Sequence, residues 1–152
     1  DRVMAGADIV TTERTLTAEE LFTKKLTVQD ILTPGELVKE IRVPKRSGQM
    51  HYDKKRVRNA IDFAIVSLAS CLDVKDNVIQ DARLVFGGVA PVPLRVKHVE
   101  EFLKGKAVTE ETADQAAGLA VGGASPMGKN EYKLFMIKDL MRSAVLRVGR
   151  SS

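Results

Sequence analysis

Cysteine and histidine are scarce in this 152-residue chain, and their scarcity excludes several kinds of site. Cys71 is the only cysteine, so the chain can form neither an internal disulfide nor a cysteine-based zinc or iron–sulfur site. The two histidines, His51 and His98, lie far apart and lack further ligands at metal-binding spacing. We therefore predict no metal site, surface positions for both histidines, and a reducing, cytoplasmic compartment.

Long apolar runs and a signal-peptide pattern are also missing. No uninterrupted apolar run approaches the roughly 20 residues that a membrane-spanning helix needs. The first residues, DRVMAG, lack the basic-then-apolar progression of a secretory signal. We expect no membrane insertion and no secretion signal.

The positive charge of the chain is modest, and its distribution favours solvated edges. The net charge is +4, and the basic residues cluster mainly at positions 45–46 and 54–58. Aromatic residues make up only 5% of the chain, and no RNA- or DNA-binding motif occurs. We therefore predict no nucleic-acid partner; a nucleic-acid interface would instead show binding that weakens steeply with salt.

Motifs for nucleotide binding and for nucleophilic catalysis are absent as well. The sequence contains no G-x-G-x-x-G, no Walker sequence and no G-x-S-x-G turn. The chain alone therefore has no recognisable pyrophosphate cradle, and we assign no catalytic residue. Gly87-Gly88 leaves two interpretations: a close backbone approach to a phosphate or flavin, or a strand exit before Pro91, which we favour.

The strongest pattern in the sequence is that of a β-hairpin. Residues 62–73 and 78–86 are apolar segments that flank a short polar turn at residues 74–77. The first segment is apolar on both faces, with Phe63 and Ile65 on one side, which predicts a central strand. We expect Asp62 to act structurally, pairing with Arg56 or Arg58 or capping the turn before this strand.

Further strands are predicted upstream of the hairpin. Period-two patterns favour strands over residues 37–43 and 50–57. The first follows a turn at residues 33–35, and the second returns antiparallel to it after a turn at Ser47-Gly48. A short strand is expected at residues 7–12. Thr17 and Glu20 match a capping box, which predicts a short helix start.

From Arg95 onward the apolar period becomes helical. We predict a short helix ending at Gly105, a second helix starting at Thr109, and a third capped by Asn130. The predicted fold class is α+β, with an antiparallel sheet of about four strands followed by a layer of three helices.

Several blocks resemble the C-terminal domain of the FAD-binding medium subunit of molybdenum hydroxylases, the xanthine dehydrogenase and carbon monoxide dehydrogenase type. The similar blocks are PGELVKEIRVP at residues 34–44, Tyr52-Asp53-Lys54, DFAIV at 62–66, GGVAP at 87–91, EFLKGK at 101–106 and KNEYK at 129–133. The likeness runs from about Ala18 onward, and its specificity lies in the order of the blocks.

The resemblance implies a role, cofactors and partners. Residues 1–35 would be the tail of the flavin-binding domain and a linker, and residues 36–150 the C-terminal domain that closes over the flavin. It implies FAD contacts from Leu37, Val38 and Lys54, with the pyrophosphate held by a missing N-terminal flavin-binding domain. It also implies an iron–sulfur subunit with 2Fe–2S clusters and a molybdopterin subunit as partners.

The resemblance makes this chain part of an oxidoreductase complex, inactive by itself. Leu37 and Val38 are also expected to contribute to the core as strand residues, and Lys54 has the alternative of being an ordinary lysine in a basic strand. The competing hypothesis is a freestanding protein-interaction module without a cofactor.

Overall fold

The described part of the chain builds two antiparallel sheets and a helical layer. The structure is a computed structural model and describes residues 5–23, 31–58 and 62–149. The strands are β1 (Asp8–Thr11), β2 (Thr15–Thr17), β3 (Val38–Arg42), β4 (Gln49–Lys55), β5 (Val66–Lys75), β6 (Val78–Gly87) and β7 (Leu94–Arg95). The helices are α1 (Ala18–Thr23), α2 (Lys97–Leu103), α3 (Glu110–Ala120) and α4 (Tyr132–Val148). This content confirms the predicted α+β class.

The larger sheet has four strands in the order β4-β5-β6-β7, which places β5 inside. Every residue of β5 from Val66 to Leu72 is buried. Leu68 and Leu72 belong to the core beneath the helices, whereas Ala69 and Cys71 belong to a second core on the other face. Because both faces are covered, both must be apolar. The predicted central position of this strand is confirmed.

The start of β5 was predicted too early. The strand begins at Val66 rather than Asp62, and the Phe63 side chain is 94% exposed. The run of apolar letters is continuous from Phe63, but ladder pairing begins only where β4 provides a partner, at Lys55 opposite Val66. The hairpin turn itself is confirmed, since Asp76 and Asn77 have φ values of 50° and 59°, as a tight hairpin turn requires.

Helices α2, α3 and α4 cover one face of the four-stranded sheet. The core between them and the sheet contains large buried side chains from both layers, including Leu68, Leu84, Phe86, Val99, Leu103, Met141 and Val145. Thr109 caps α3 as predicted, accepting a hydrogen bond from the Thr112 N–H at 3.1 Å. Gly105, with φ 74°, follows α2 as predicted.

The predicted side-chain cap of α4 is wrong. Asn130 Oδ1 accepts a hydrogen bond from the Met127 N–H at 3.0 Å, so this side chain closes the preceding turn. The residue at the N-cap position is Glu131. None of the helices within the described ranges is both long and apolar enough to cross a bilayer.

The smaller sheet has the order β2-β1-β3, and this pairing corrects a prediction. The strand around Val38–Arg42 pairs with β1, where Ile9 lies opposite Ile41, and not with β4. In the larger sheet the outer position beyond β6 belongs to β7, whose second residue, Arg95, is predicted above as the start of a helical segment. Alternation along a strand shows which residues share a face, but it does not specify the partner strand.

The smaller sheet and α1 pack on the face of the larger sheet opposite the helices. This second core brings together small and aliphatic side chains, namely Ala7, Ile9, Ala18, Leu21, Ala69, Cys71 and Val85. Glu19 of α1 accepts salt bridges from Arg95 at 3.1 Å and from Lys97 at 2.6 Å. The predicted capping box is present, with the Glu20 N–H 3.1 Å from Thr17 Oγ1 and the Thr17 N–H 3.0 Å from Glu20 Oε2.

Candidate functional site

Lys54 lies on β4 with its side chain directed away from the helical layer. Its neighbours Asp53 and Lys55 form salt bridges to α4, with Arg147 at 2.9 Å and Asp139 at 2.5 Å respectively. Side chains alternate along a strand, so Lys54 faces the other side of the sheet, the side that carries the smaller sheet. Lys54 pairs in register with Ser67 and is exposed. Its ammonium is therefore accessible to a ligand on that side.

The Lys54 ammonium has a defined but incomplete set of partners. Its Nζ donates a hydrogen bond to the Asp62 carbonyl oxygen at 3.1 Å. The Asp62 carboxylate accepts one from the Arg58 N–H at 3.1 Å, and the Arg58 Nε lies 3.7 Å from it, as the sequence predicted. An ammonium offers three donors. Among the described residues Lys54 has no carboxylate partner, so it can receive an anionic or carbonyl group.

Leu37 and Val38 are exposed, and the prediction that they also belong to the core is wrong. Their side chains are 67% and 43% exposed. The reason is the position of β3, which is an outer strand of the smaller sheet and packs only the partly buried Ile41 against the second core. Two adjacent aliphatic side chains are thus left open to contact an apolar surface.

The predicted contact residues lie in different sheets. Leu37 directly precedes β3, and Val38 is its first residue, whereas Lys54 is near the end of β4. The strands β3 and β4 are not hydrogen-bonded to each other. Both sets lie on the side of the larger sheet that the smaller sheet covers. Met50 and Tyr52 share the Lys54 face of β4 and are 49% and 57% exposed. Sequence analysis did not single out these two residues, although their period-two spacing from Lys54 was available.

Glu36 is a buried carboxylate next to Leu37, and sequence analysis also missed it. Its side chain has no exposed surface. It accepts hydrogen bonds from Thr11 Oγ1 at 2.6 Å, Arg14 Nε at 3.0 Å and the Thr33 N–H at 2.8 Å. These donors, led by Arg14, lower the pKa of Glu36 to about 2. The Thr33-x-x-Glu36 spacing, which matches the Thr17-x-x-Glu20 capping box, was the available signal.

The Gly87-Gly88 pair is required by contacts within the chain. A Cβ on Gly87 would lie 2.6 Å from Ser67 Oγ, and one on Gly88 would lie 2.7 Å from the Ile65 carbonyl oxygen. Gly88 also has a φ of 75°. Lys133 Nζ donates to the Gly88 carbonyl oxygen at 2.7 Å, which ties this strand exit to α4. The structure accounts for the pair as a strand exit, the interpretation that we favoured.

A Gly88→Ala substitution should therefore destabilise the fold. We expect a loss of about 2 kcal/mol in the free energy of unfolding, from positive-φ strain together with the Ile65 contact. Gly105→Ala is the matched control, because Gly105 has a similar φ of 74° with no atom within 4 Å of its added Cβ. For this control, urea unfolding should show a loss of about 1 kcal/mol in the free energy of unfolding. Equal losses at the two positions would contradict the close-approach explanation.

The remaining candidate residues do not form a site. The His98 ring is exposed, with Nε2 3.1 Å from the Leu119 carbonyl oxygen. His51 is half-buried, and its enclosed Nε2 has no hydrogen-bond partner among the residues that the structure describes. The surface position is thus correct for His98 and wrong for His51. Burial raises the pKa of the Cys71 thiol. No cluster of three or more potential metal ligands occurs in the part of the chain that the structure describes.

A charged cavity of about 290 Å³ lies away from Lys54. Its lining includes Arg46 and Arg83 together with Asp73 and Asp81. Asp73 and Ser67, the register partner of Lys54, are near opposite ends of β5. The cavity and the Lys54 side chain are therefore in separate regions of the molecule.

Comparisons with known proteins give a consistent result. Residues 51–148 match the family model described as CO dehydrogenase flavoprotein C-terminal domain. The glyceraldehyde dehydrogenase medium chain of Sulfolobus acidocaldarius is 33% identical over 119 residues, covering 76% of this chain and 42% of the relative. The carbon monoxide dehydrogenase medium chain of Hydrogenophaga pseudoflava is 29% identical over 137 residues, covering 87% of this chain and 47% of the relative.

Solved structures agree with the fold. Quinoline 2-oxidoreductase from Pseudomonas putida 86 matches 99% of this chain and 54% of its own chain, with a TM-score of 0.87 and 22% identity. The Cu,Mo-CO dehydrogenase in its cyanide-inactivated form matches 99% of this chain and 55% of its own chain, with a TM-score of 0.80 and 25% identity. The chain thus spans about half the length of these proteins.

Proposed function

Because the chain belongs to the CO dehydrogenase flavoprotein C-terminal domain family, we propose that it is the C-terminal part of the FAD-binding subunit of a molybdenum hydroxylase. The observation that carries this proposal is the family match from residue 51, which includes Lys54 and most of β4. In this role the chain closes over the flavin ring and leaves the pyrophosphate to an N-terminal flavin-binding domain. The proposed division is the tail of that domain over residues 1–35 and the C-terminal domain over residues 36–150.

The exposed residues fit a flavin. Leu37 and Val38 each offer exposed aliphatic surface to a flat, largely apolar ring. Lys54 offers a cation with unused donors on the exposed face of β4. A bound flavin would supply the electron-transfer chemistry that connects iron–sulfur clusters with NAD or another acceptor. Lys54 would stabilise the negative charge that reduction places on the N1/C2 carbonyl edge of the ring.

The proposed partners follow from the names of the relatives. Medium chains and medium subunits are names for parts of assemblies, and a carbon monoxide dehydrogenase in the comparison is described as lacking the Mo-pyranopterin moiety of its molybdenum cofactor. We propose an iron–sulfur subunit and a molybdopterin subunit as partners, in a xanthine dehydrogenase-type complex. A cytoplasmic location is part of the same proposal.

Reconstitution separates this proposal from a cofactor-free interaction module. The chain is mixed with the N-terminal flavin-binding half of the subunit and FAD, and the flavin absorption spectrum is recorded. The proposal predicts a shifted spectrum that neither half gives alone. Coexistence of the two halves with the spectrum of free FAD would favour the interaction module.

Replacing Lys54 by alanine in the full-length subunit should lower the flavin reduction potential. The lost cation no longer stabilises the charged reduced ring, and we expect a decrease of about 30 mV for a two-electron couple, or about 1.4 kcal/mol. The measurement is a spectroscopic redox titration of the bound flavin. The fold should be unaffected, because Lys54 is exposed and its only described bond is to the Asp62 carbonyl.

Two variants control this result. Lys54→Arg keeps the charge and should retain most of the wild-type potential. Lys55→Ala removes the neighbouring lysine, which points to α4 and pairs with Asp139, and should leave the potential unchanged. An unchanged potential in Lys54→Ala, or an equal decrease in Lys55→Ala, would remove Lys54 from the flavin site.

A further inference from the structure

The exposed pair Leu37 and Val38 needs a rigid backbone to keep its position. Side chains that are 67% and 43% exposed cannot be located by packing against the rest of the chain. Their placement depends on main-chain contacts, and two of these connect Leu37 with Thr12. The Thr12 N–H donates to the Leu37 carbonyl oxygen at 2.9 Å, and the Leu37 N–H donates to Thr12 Oγ1 at 3.2 Å.

Glu36 fixes both segments that make these contacts. On one side, Oε1 accepts hydrogen bonds from Thr11 and Arg14, which flank Thr12. On the other side, Oε2 accepts from the Thr33 N–H, closing the turn that leads into β3. Arg14 extends the network, because its Nη2 donates to the Ile31 carbonyl oxygen at 2.6 Å. One enclosed carboxylate thus joins the loop after β1 to the turn before Leu37.

We propose that Glu36 is a positioning residue for the flavin site, holding Leu37 and Val38 where they contact the ring; this inference rests on the proposed function above. Charge-assisted hydrogen bonds are short and directional, so several of them on one carboxylate define the backbone position closely. Glu36 itself is enclosed and faces away from solvent, so it acts through its neighbours and does not touch the flavin.

The test is a double-mutant cycle on FAD affinity in the full-length subunit. The variants are Glu36→Ala, the pair Leu37→Ala and Val38→Ala, and their combination, with FAD dissociation constants measured by flavin fluorescence. We expect Glu36→Ala and the Leu37/Val38 pair each to weaken FAD binding about tenfold. The combination should also lose about tenfold, because two changes that act through the same contact are not additive.

Additional variants keep the test decisive. Glu36→Gln preserves the shape of the side chain and should show the same pattern with a smaller loss, which serves if Glu36→Ala does not fold. Glu40→Gln is the matched control, because Glu40 lies on the same strand, is exposed and pairs only with Arg42 among the described residues. It should leave FAD affinity unchanged. All measurements are made at a temperature where circular dichroism shows each variant folded.

The outcomes distinguish the inference from the proposed function. If the Leu37/Val38 pair weakens FAD binding but the Glu36 variants do not, or if the combined loss reaches about a hundredfold, Glu36 does not act through these residues. If FAD binds to the wild type and the Leu37→Ala/Val38→Ala variant binds it equally well, these two side chains do not contact the flavin. The flavin contact in the proposed function then fails as well.

Discussion

A Phe86→Ala variant is expected to lose about 4 kcal/mol in the free energy of unfolding, the largest effect that we predict. Phe86 is 1% exposed and lies on β6 between Leu68 of β5 and Leu94 of β7. It also lines a small cavity of about 160 Å³ beneath α4. Removing the ring enlarges this cavity, and the surrounding strands and helix are too constrained by pairing to close around it.

Phe135→Ala provides the matched control. Phe135 is also a phenylalanine of a regular element, on α4, but it is 74% exposed. We expect a change within about 0.5 kcal/mol for this variant. Urea unfolding followed by circular dichroism measures both. A loss below about 1 kcal/mol for Phe86→Ala would show that the β6 core is not packed as described.

A Glu100→Ala variant is expected to lose about 3 kcal/mol in the free energy of unfolding. Glu100 is 3% exposed, and its carboxylate accepts hydrogen bonds from the Leu84 N–H at 2.9 Å and from Arg95 at 2.8 Å. Its removal leaves a backbone donor of β6 and a largely enclosed guanidinium without their partner. Arg95 retains its salt bridge to Glu19 at 3.1 Å, which keeps the expected loss at the lower end for a broken buried pair.

The adjacent residue gives the control for this prediction. Glu101 is on the same helix, its side chain is 74% exposed, and it lies 3.6 Å from Lys104. Glu101→Ala should change the stability by less than about 0.5 kcal/mol. Equal effects of the two substitutions in the same unfolding experiment would argue against a buried role for Glu100.

The hairpin and the helical layer could be predicted because local patterns define them. Asp76 and Asn77 have the turn conformation that their residue types favour, and the Thr109 cap follows from a short local motif. The apolar character of β5 on both faces correctly indicated a central strand. In each case the residues that carry the signal are neighbours in sequence.

The topology of the smaller sheet could not be predicted in this way. The alternation of residues 37–43 was read correctly as a strand, but its pairing with β1 depends on the path of the chain between the two sheets. The exposure of Leu37 and Val38 follows from that pairing, so it was missed for the same reason. The burial of Glu36 was missed because its partner Arg14 is distant in sequence. The residues around Glu36 indicated only a turn and a strand.

Lysine footprinting can show whether the Lys54 face of this chain closes over the flavin, as we propose. The full-length subunit is acetylated with and without FAD, and the modification of each lysine is measured by mass spectrometry. Lys75, exposed at the far end of β5, is the internal control. We predict that FAD slows the acetylation of Lys54 and leaves that of Lys75 unchanged. Equal acetylation of Lys54 in the two states would show that this face does not close over the flavin.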